Sequence, residues 1–278
     1  MAGAVGAAGV GLGLGAGLAA ILDAGDPSPA GDDIAPGPIV RKSFVSADRG
    51  DVPTRWSLIR PPDVTGPLRV VLALHGMGGS TDDLLGPDWD LPGGLARAVA
   101  GAGVEPFAIA TVSGGTSFWH ARPWGEDAGA MVLEEFLPML LSRPDVAPGK
   151  IGMLGWSMGG YGVLRLAGVL GPNKVAAVVA SSPGLYTDPK LAHPEGFVDA
   201  AEYERFSIMD DQADLTGIPL RIDIGTEDPF YDATRAYVDG FPPDADLTAQ
   251  YGEGGHELDF TQRVLPAQLA FLGEHLAD

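Results

Sequence analysis

The clearest chemical signal in the sequence is a serine placed between two glycines. Ser157 follows an apolar run over residues 151–156 and precedes a stretch with helical periodicity. Gly155 and Gly159 lie two residues before and two residues after it. A sharp strand-to-helix turn of this kind exposes the serine hydroxyl. The flanking positions must be glycine because side chains there would collide with the turned backbone. The pattern predicts a nucleophile at Ser157, with the N–H of Met158 facing an oxyanion.

A serine hydroxyl is a weak nucleophile at neutral pH and needs a neighbouring base. The chain has five histidines. His256 lies in a Gly-Gly-His-Glu segment between the last predicted strand and the last predicted helix. That is where the base falls when the chain order is serine, acid, histidine. The sequence therefore predicts His256 as the base, and it favours a structural role for His75.

An acid must hold the base in one tautomer. Asp228 follows a predicted strand over residues 220–225, so its carboxylate should lie at the same sheet edge as the serine. Asp223 lies within that strand and should face a helix layer. Glu227 and Asp232 are closer competitors of Asp228 for the role of the acid. Their alternative role is a solvated loop charge or support of a helix start. We predict Asp228 as the orienting acid.

Two further segments follow predicted strands and bear on the site. The run from His75 through three glycines to Ser80 comes after the third strand, and its glycine content lets the N–H of Met77 serve as a second oxyanion donor. Trp119, His120 and Trp124 follow the fourth strand. These three side chains are candidate substrate contacts near the pocket mouth. The alternative for them is packing beneath a covering segment.

These residues need a scaffold in which strands and helices alternate. Strand signals occupy residues 39–46, 54–60, 68–75, 107–113, 151–156, 175–181, 220–225 and 247–251, and helical periodicity occupies 94–101, 128–141, 158–170, 231–240 and 258–276. The order predicts an α/β fold with a mostly parallel, doubly wound eight-stranded sheet, an antiparallel start and helices on both faces. Residues 184–217 are too long for a simple connection, and they predict an insertion over the carboxyl edge of the sheet.

Composition narrows the chemistry. The 278 residues carry 17 basic and 37 acidic side chains, a net charge of −20, and no cysteine. The missing cysteines exclude a thiolate nucleophile and Cys-held metal clusters. The negative charge argues against nucleic acid as a partner and disfavours docking on anionic membranes. A serine mechanism requires no metal and no cofactor, so none is expected.

The N-terminal region differs from the rest of the chain. Residues 1–22 carry no charge and are mostly small or apolar, and residues 23–38 form a Pro/Gly/Asp-rich linker ahead of a catalytic domain over 39–278. We expect residues 1–22 to be an export signal core whose basic head lies upstream, which makes the protein secreted or bound to the cell envelope. The alternatives are an uncleaved anchor, which would be the one route to membrane association, and a plain tail on a cytoplasmic protein.

Taken together, the chain resembles the α/β-hydrolase fold, and within it the putative-esterase group of esterase D, the feruloyl esterases and the antigen 85 mycolyltransferases. The motifs that carry the resemblance are His75-Gly-Met-Gly-Gly79, Gly114-Gly-Thr-Ser-Phe-Trp119, Leu133-Glu-Glu-Phe-Leu-Pro138, Gly155-Trp-Ser-Met-Gly-Gly160 and Gly254-Gly-His256. The resemblance implies Ser157, Asp228 and His256 as a triad, with the N–H groups of Met77 and Met158 as the oxyanion hole.

The expected activity is hydrolysis of a small-molecule or lipid carboxylic ester through an acyl-enzyme. The chain departs from esterase D in having no cysteine, and from the mycolyltransferases in lacking an arginine after the oxyanion glycine. An acyltransferase with a carbohydrate or lipid alcohol as acceptor, a serine peptidase and a non-catalytic binding protein remain as alternatives.

Overall fold

The computed structural model describes residues 34–277. The expectations for residues 1–22, and for the linker as far as residue 33, lie outside the described residues. The first strand begins at Ile39. Among the described residues, no helix has the length and apolar character needed to cross a bilayer.

Eight strands form one mixed sheet in the order β1-β2-β4-β3-β5-β6-β7-β8. The strands are β1 (Ile39–Ser46), β2 (Val52–Ile59), β3 (Val70–Leu74), β4 (Ala108–Val112), β5 (Ile151–Trp156), β6 (Val175–Ser181), β7 (Leu220–Gly225) and β8 (Leu247–Gly252). β2 pairs antiparallel with β1 and with β4, and the remaining neighbours pair in parallel. The predicted fold class, with its antiparallel start, is confirmed.

Helices cover both faces of the sheet. They are α1 (Thr81–Leu85), α2 (Leu91–Ala96), α3 (Ala128–Ala130), α4 (Leu137–Leu141), α5 (Met158–Leu170), α6 (Ala200–Phe206), α7 (Tyr231–Asp239) and α8 (Leu258–Ala277). A π-helical turn (Met131–Phe136) joins α3 to α4, and another (Arg97–Gly101) continues α2. The two short helices α1 and α6 were not predicted, because five to seven residues are too few to show a period.

The central strand β3 is apolar at every position because both of its faces are covered. In β3, Leu72 and Leu74 pack into one core cluster, while Val71 and Ala73 pack into the cluster on the other side of the sheet. All five residues of β3 are buried. This double burial is typical of parallel strands between helix layers, and it fixes where each strand ends. The strand ends in turn fix the loops that carry the polar residues.

Candidate active site

Ser157 lies on a tight turn between β5 and α5. Its backbone adopts φ 56° and ψ −121°, a strained conformation for a residue with a side chain. A Cβ on Gly155 would lie 2.1 Å from the carbonyl oxygen of Gly159, and a Cβ on Gly159 would lie 2.0 Å from that of Leu74. Only glycine fits at both positions. The close approach on either side therefore holds the turn in its strained form.

The three predicted polar residues meet in one hydrogen-bonded row. His256 Nε2 lies 2.8 Å from Ser157 Oγ, and His256 Nδ1 lies 2.8 Å from Asp228 Oδ2. The backbone N–H of Phe230 donates to Asp228 Oδ1 at 2.8 Å, which holds the carboxylate in place. The Asp228 side chain is fully buried, and the His256 side chain is 23% exposed. The imidazole is thus within reach of both the serine hydroxyl and solvent.

The sheet brings these residues together from three loops. Ser157 follows β5, Asp228 follows β7 and His256 follows β8, so all three emerge at the carboxyl ends of parallel strands. The last two loops touch, since a Cβ on Gly225 would lie 2.1 Å from the carbonyl oxygen of Gly254. The spatial grouping agrees with the arrangement expected from the sequence.

The rival acids lie elsewhere. Glu227 and Asp232 are exposed on the surface. Asp223 is fully buried and accepts from Arg221 at 2.7 Å and from Gln268 of α8 at 2.9 Å. Burial raises the pKa of Asp223, while Arg221 and Gln268 oppose that shift. Asp223 is therefore committed to the contact between the sheet and a helix layer, as its position inside β7 predicted.

The two predicted oxyanion donors come from the turns after β3 and β5. Met158 is the first residue of α5, so its N–H has no acceptor within the helix. Gly76 and Gly78 frame Met77 on the opposite loop; Gly78 adopts φ 73°, and a Cβ on Gly76 would lie 2.4 Å from the Trp156 ring. The loop can lie this close to the elbow only because position 76 has no side chain.

His75 connects two loops from the interior. Its Nε2 accepts from the N–H of Gly114 at 2.9 Å, and its Nδ1 lies 2.7 Å from the carbonyl oxygen of Gly76, so Nδ1 carries the proton. Burial lowers the pKa of His75 to about 4. The ring is neutral at neutral pH and makes no contact with Ser157 Oγ in this hydrogen-bonded arrangement. A structural role fits all of these observations.

Two aromatic rings that sequence reasoning missed hold the His256 imidazole. Trp156 stacks on it with ring centroids 4.9 Å apart and planes 22° apart. Phe230 approaches edge-on at 5.0 Å and 73°. Trp156 lies inside the serine motif and Phe230 lies two residues after Asp228. Proximity in sequence was thus an available signal, but the contact itself depends on the meeting of separate loops.

The substrate-contact expectation for Trp119 and His120 requires correction. Both side chains are fully buried. Trp119 packs so closely on α5 that a Cβ on Gly162 would lie 2.5 Å from its ring. Trp124, in contrast, is 62% exposed and lies over the Arg122 guanidinium at 4.6 Å. Packing under the inserted segment, the alternative for these residues, describes His120, which contacts Phe197 and Phe206 of residues 184–217. Trp119 is instead buried against α5 and the His75 ring.

His120 shows how that cover is built. Its ring stacks between Phe206, at a centroid distance of 4.3 Å, and Phe197, at 5.2 Å. Its Nε2 lies 3.1 Å from the carbonyl oxygen of Gly196. Burial lowers the pKa of His120 to about 4, with the nearby Arg122 adding to the shift. The ring therefore acts as a neutral packing element between the loop after β4 and the insertion.

A buried ion pair ties the same two segments together. Arg122 Nε lies 3.6 Å from Glu202 Oε1, and both side chains are almost completely inaccessible. Arg122 Nη1 also donates to the carbonyl oxygen of Gly196, and the Tyr161 hydroxyl donates to that of Phe206 at 2.6 Å. Sequence reasoning did not find this pair, because nothing in a pattern links residues 80 positions apart.

A cleft of about 220 Å³ opens beside the site. Its walls come from the loop after β3, from α1 and the turn that follows it, from the end of β5 and from the start of α8, and they include Met77, Asp83, Trp89, Trp156 and Leu258. Trp89 lies edge-on to Trp156 at 5.4 Å. Met77 is a predicted oxyanion residue and Trp156 stacks on His256, so the cleft lies next to the row of hydrogen-bonded residues.

The mixed eight-stranded sheet between helix layers, with a serine at a strained strand-to-helix turn, defines the α/β-hydrolase fold. Within that fold, residues 53–260 match the family model described as "Putative esterase". The chain therefore belongs to this esterase family, and its class of enzyme is carboxylic ester hydrolase. No curated protein shows significant similarity to the chain.

Solved structures with the same fold include several esterases. A ferulic acid esterase aligns with TM-score 0.74 and 17% identity over 86% of this chain and 98% of its own. An S-formylglutathione hydrolase from Agrobacterium tumefaciens aligns with TM-score 0.69 and 19% identity, over 86% and 95%. Mycobacterium tuberculosis MPT51 aligns with TM-score 0.68 and 12% identity, over 85% and 99%. At these identities the likeness establishes the fold alone.

Proposed function

We propose that the protein is a serine esterase that uses Ser157 as nucleophile, His256 as general base and acid, and Asp228 as the orienting acid. The observation that carries this proposal is the unbroken row of two 2.8 Å hydrogen bonds that ends at the strained Ser157 turn. The distances match those needed for proton transfer between a nucleophile and its base. The family supports an ester as the substrate.

The first half of the reaction forms an acyl-enzyme. His256 Nε2 takes the proton of Ser157 Oγ while that oxygen bonds to the ester carbonyl carbon. The negative charge on the former carbonyl oxygen is held by the N–H groups of Met77 and Met158. His256 then gives its proton to the leaving alcohol oxygen as the bond between acyl group and alcohol breaks. Asp228 stabilises the imidazolium that exists between these two steps.

The second half releases the acyl group. Water loses a proton to His256 as its oxygen attacks the acyl carbon, and that proton returns to Ser157 Oγ when the acyl–serine bond breaks. The stacked Trp156 and the edge of Phe230 keep the imidazole in one orientation throughout. The partly exposed edge of His256 leaves room for water to enter.

Replacing the nucleophile tests the assignment. Ser157→Ala should lower kcat for p-nitrophenyl acetate by about 10⁴-fold or more, because the acyl-enzyme cannot form. It should also abolish labelling by a fluorophosphonate probe. Ser182→Ala is a matched control, since Ser182 is also a buried serine with positive φ but lies outside the hydrogen-bonded row. Retained activity or labelling in Ser157→Ala would reject the proposal.

We also propose export, on the basis of the uncharged, apolar run over residues 1–22 followed by a Pro/Gly/Asp-rich linker. Fusion of residues 1–38, together with the coding sequence upstream of Met1 that would supply the basic head, to a reporter that is active only after export tests this. Export of the reporter and a new N-terminus within residues 23–38 are the expected results. Retention of the uncut fusion in the cytoplasm would contradict the proposal.

A further inference from the structure

The cleft of about 220 Å³ lies on the side of the site where a leaving alcohol must be. In the proposed reaction His256 gives its proton to the leaving oxygen, so the alcohol lies next to the imidazole. Trp156 stacks on that imidazole, and Leu258 follows His256 by two residues. Both residues line the cleft, as does Met77 of the oxyanion loop. The cleft therefore adjoins the imidazole that would protonate the leaving alcohol.

The volume of the cleft limits the size of this alcohol. A cavity of about 150 Å³ lined by apolar side chains holds one benzene molecule. A cleft of about 220 Å³ accommodates one six-membered ring with a small substituent. Trp89 closes the inner end, since it is 7% exposed and packs edge-on against Trp156. A larger alcohol would extend beyond these walls into solvent.

The charges around the cleft are negative. Asp83 and Asp88 line it, and both are exposed. Asp83 accepts a hydrogen bond from the Ser80 hydroxyl at 2.8 Å, and its charge reaches the His75 ring at the base of the cleft. Among the residues that the structure describes, the lining contains no arginine or lysine, and His75 is neutral because burial lowers its pKa to about 4. Arg55 of β2 is paired with Asp82 of α1, next to Asp83 in the chain.

We infer that this cleft is an alcohol subsite that selects uncharged or positively charged alcohols of about one ring and rejects anionic ones. The inference rests on the proposed function, because it takes Ser157 and His256 as the reacting pair. The apolar walls supply burial for the ring, and the two carboxylates at its edge repel a negative substituent. Asp83 and Asp88 are then specificity-determining residues rather than catalytic ones.

A set of three acetate esters tests the charge selection: 4-acetoxybenzoate, 4-acetoxybenzamide and (4-acetoxyphenyl)trimethylammonium. They share one acyl group and one ring, and they differ in charge at the far end. The kcat/KM of each is measured for the wild type and for Asp83→Asn/Asp88→Asn. Comparing the two proteins on each ester cancels the intrinsic reactivity of the leaving group. We divide kcat/KM for 4-acetoxybenzoate by kcat/KM for (4-acetoxyphenyl)trimethylammonium and call the result the anion-to-cation ratio. We expect this ratio to be about tenfold higher in the double variant than in the wild type.

The matched control is Asp244→Asn, which removes an equal charge from an exposed loop before β8. This loop lies at the amino end of its strand, whereas the site lies at the carboxyl ends. The control variant should leave the ratio unchanged. Added salt should raise the ratio in the wild type and have less effect in the double variant. If the double variant hydrolyses all three esters with the wild-type ratio, the inference is wrong while the esterase proposal stands. If the wild type hydrolyses none of them, the proposed function itself fails.

The size limit is tested with phenyl acetate and 4-phenylphenyl acetate. Leu258→Ala removes a half-buried wall of the cleft, so it should raise kcat/KM for the larger ester relative to the smaller one by about fivefold. An equal preference for both esters in the wild type, unchanged in Leu258→Ala, would overturn the size limit.

Discussion

Two regions at the carboxyl edge of the sheet are held in place by different means. The catalytic loops, named for the proposed reaction, are the turns after β5, β7 and β8 that carry Ser157, Asp228 and His256. The tethered region is the loop after β4 together with residues 184–217, joined by the buried Arg122–Glu202 pair. The catalytic loops depend on strand ends and on glycines with no room for a side chain. The tethered region depends on buried side chains far apart in sequence.

This difference separates activity from stability. Changes in the catalytic loops should alter turnover with little effect on the free energy of unfolding. Changes in the tethered region should lower that free energy because they leave buried polar groups without partners. Four substitutions examine this separation, in decreasing order of the expected effect.

The largest effect is expected from Asp228→Asn. An asparagine holds the imidazole in the wrong tautomer, so kcat should fall by about 10⁴-fold with the melting temperature nearly unchanged. Asp223→Asn is the matched control five residues earlier in the chain. It weakens a buried pair with Arg221 rather than the site, so it should destabilise the protein while kcat changes less than about threefold. Reversed results for the two variants would reject Asp228 as the acid that orients His256.

In the tethered region, Glu202→Ala should lower the free energy of unfolding by about 3–5 kcal/mol, because it leaves the Arg122 guanidinium buried without its carboxylate. Urea denaturation measures the change. Glu204→Ala, on the exposed side of α6, serves as the control and should cost less than about 0.5 kcal/mol. A cost for Glu202→Ala as small as that of the control would show that the pair does not hold the segment.

His120 gives the tethered region a pH dependence. Its pKa is lowered to about 4 by burial, whereas a histidine in the unfolded chain titrates near 6.5. The unfolded state therefore binds a proton first as the pH falls from 6.5 to 4, and stability declines by about 1.4 kcal/mol per pH unit for this group. His120→Phe should keep the ring stacked between Phe197 and Phe206 and reduce that slope. Urea denaturation at pH 7 and pH 5 measures the slope, and an unaltered slope would contradict the role of His120.

The smallest effect concerns the ring that supports the base. Trp156→Leu should lower kcat about tenfold with KM little changed, because the imidazole loses the stacked face that orients it. Trp156→Phe should recover most of the loss, since it restores an aromatic face. A variant that merely loosened the fold would show a lower melting temperature and no recovery with phenylalanine. Equal kcat values for the leucine and phenylalanine variants would show that the stacking has no role.

Most of the fold followed from local patterns. All eight strands appeared as apolar or β-rich runs, and their order required a sheet with an antiparallel start. The row of Ser157, Asp228 and His256 followed as well, since each residue comes after a strand and parallel strands end at one edge. Helices α1 and α6 were missed because they are too short to display a period.

The substrate-contact expectation for Trp119 and His120 was wrong for a different reason. Their position after β4 does place them near the site, but Trp119 is buried against α5, and His120 is covered by an insertion more than 60 residues later. Whether a loop residue lines an open pocket or packs under another segment depends on how that segment folds. Residues 184–217 show no helical or strand periodicity from which the path of this segment could be predicted.

The sequence by itself determined the residue types of the site and the strands that carry them, because a glycine–serine turn and alternating strand and helix signals are local features. Only the tertiary structure decided which rings surround the imidazole, how the loop after β4 is joined to the insertion and where the cleft opens. Those properties arise where separate loops meet: Trp156 against His256, Glu202 against Arg122, and Asp83 facing the cleft beside Met77. Contacts between distant residues depend on packing, and no spacing along the chain specifies them.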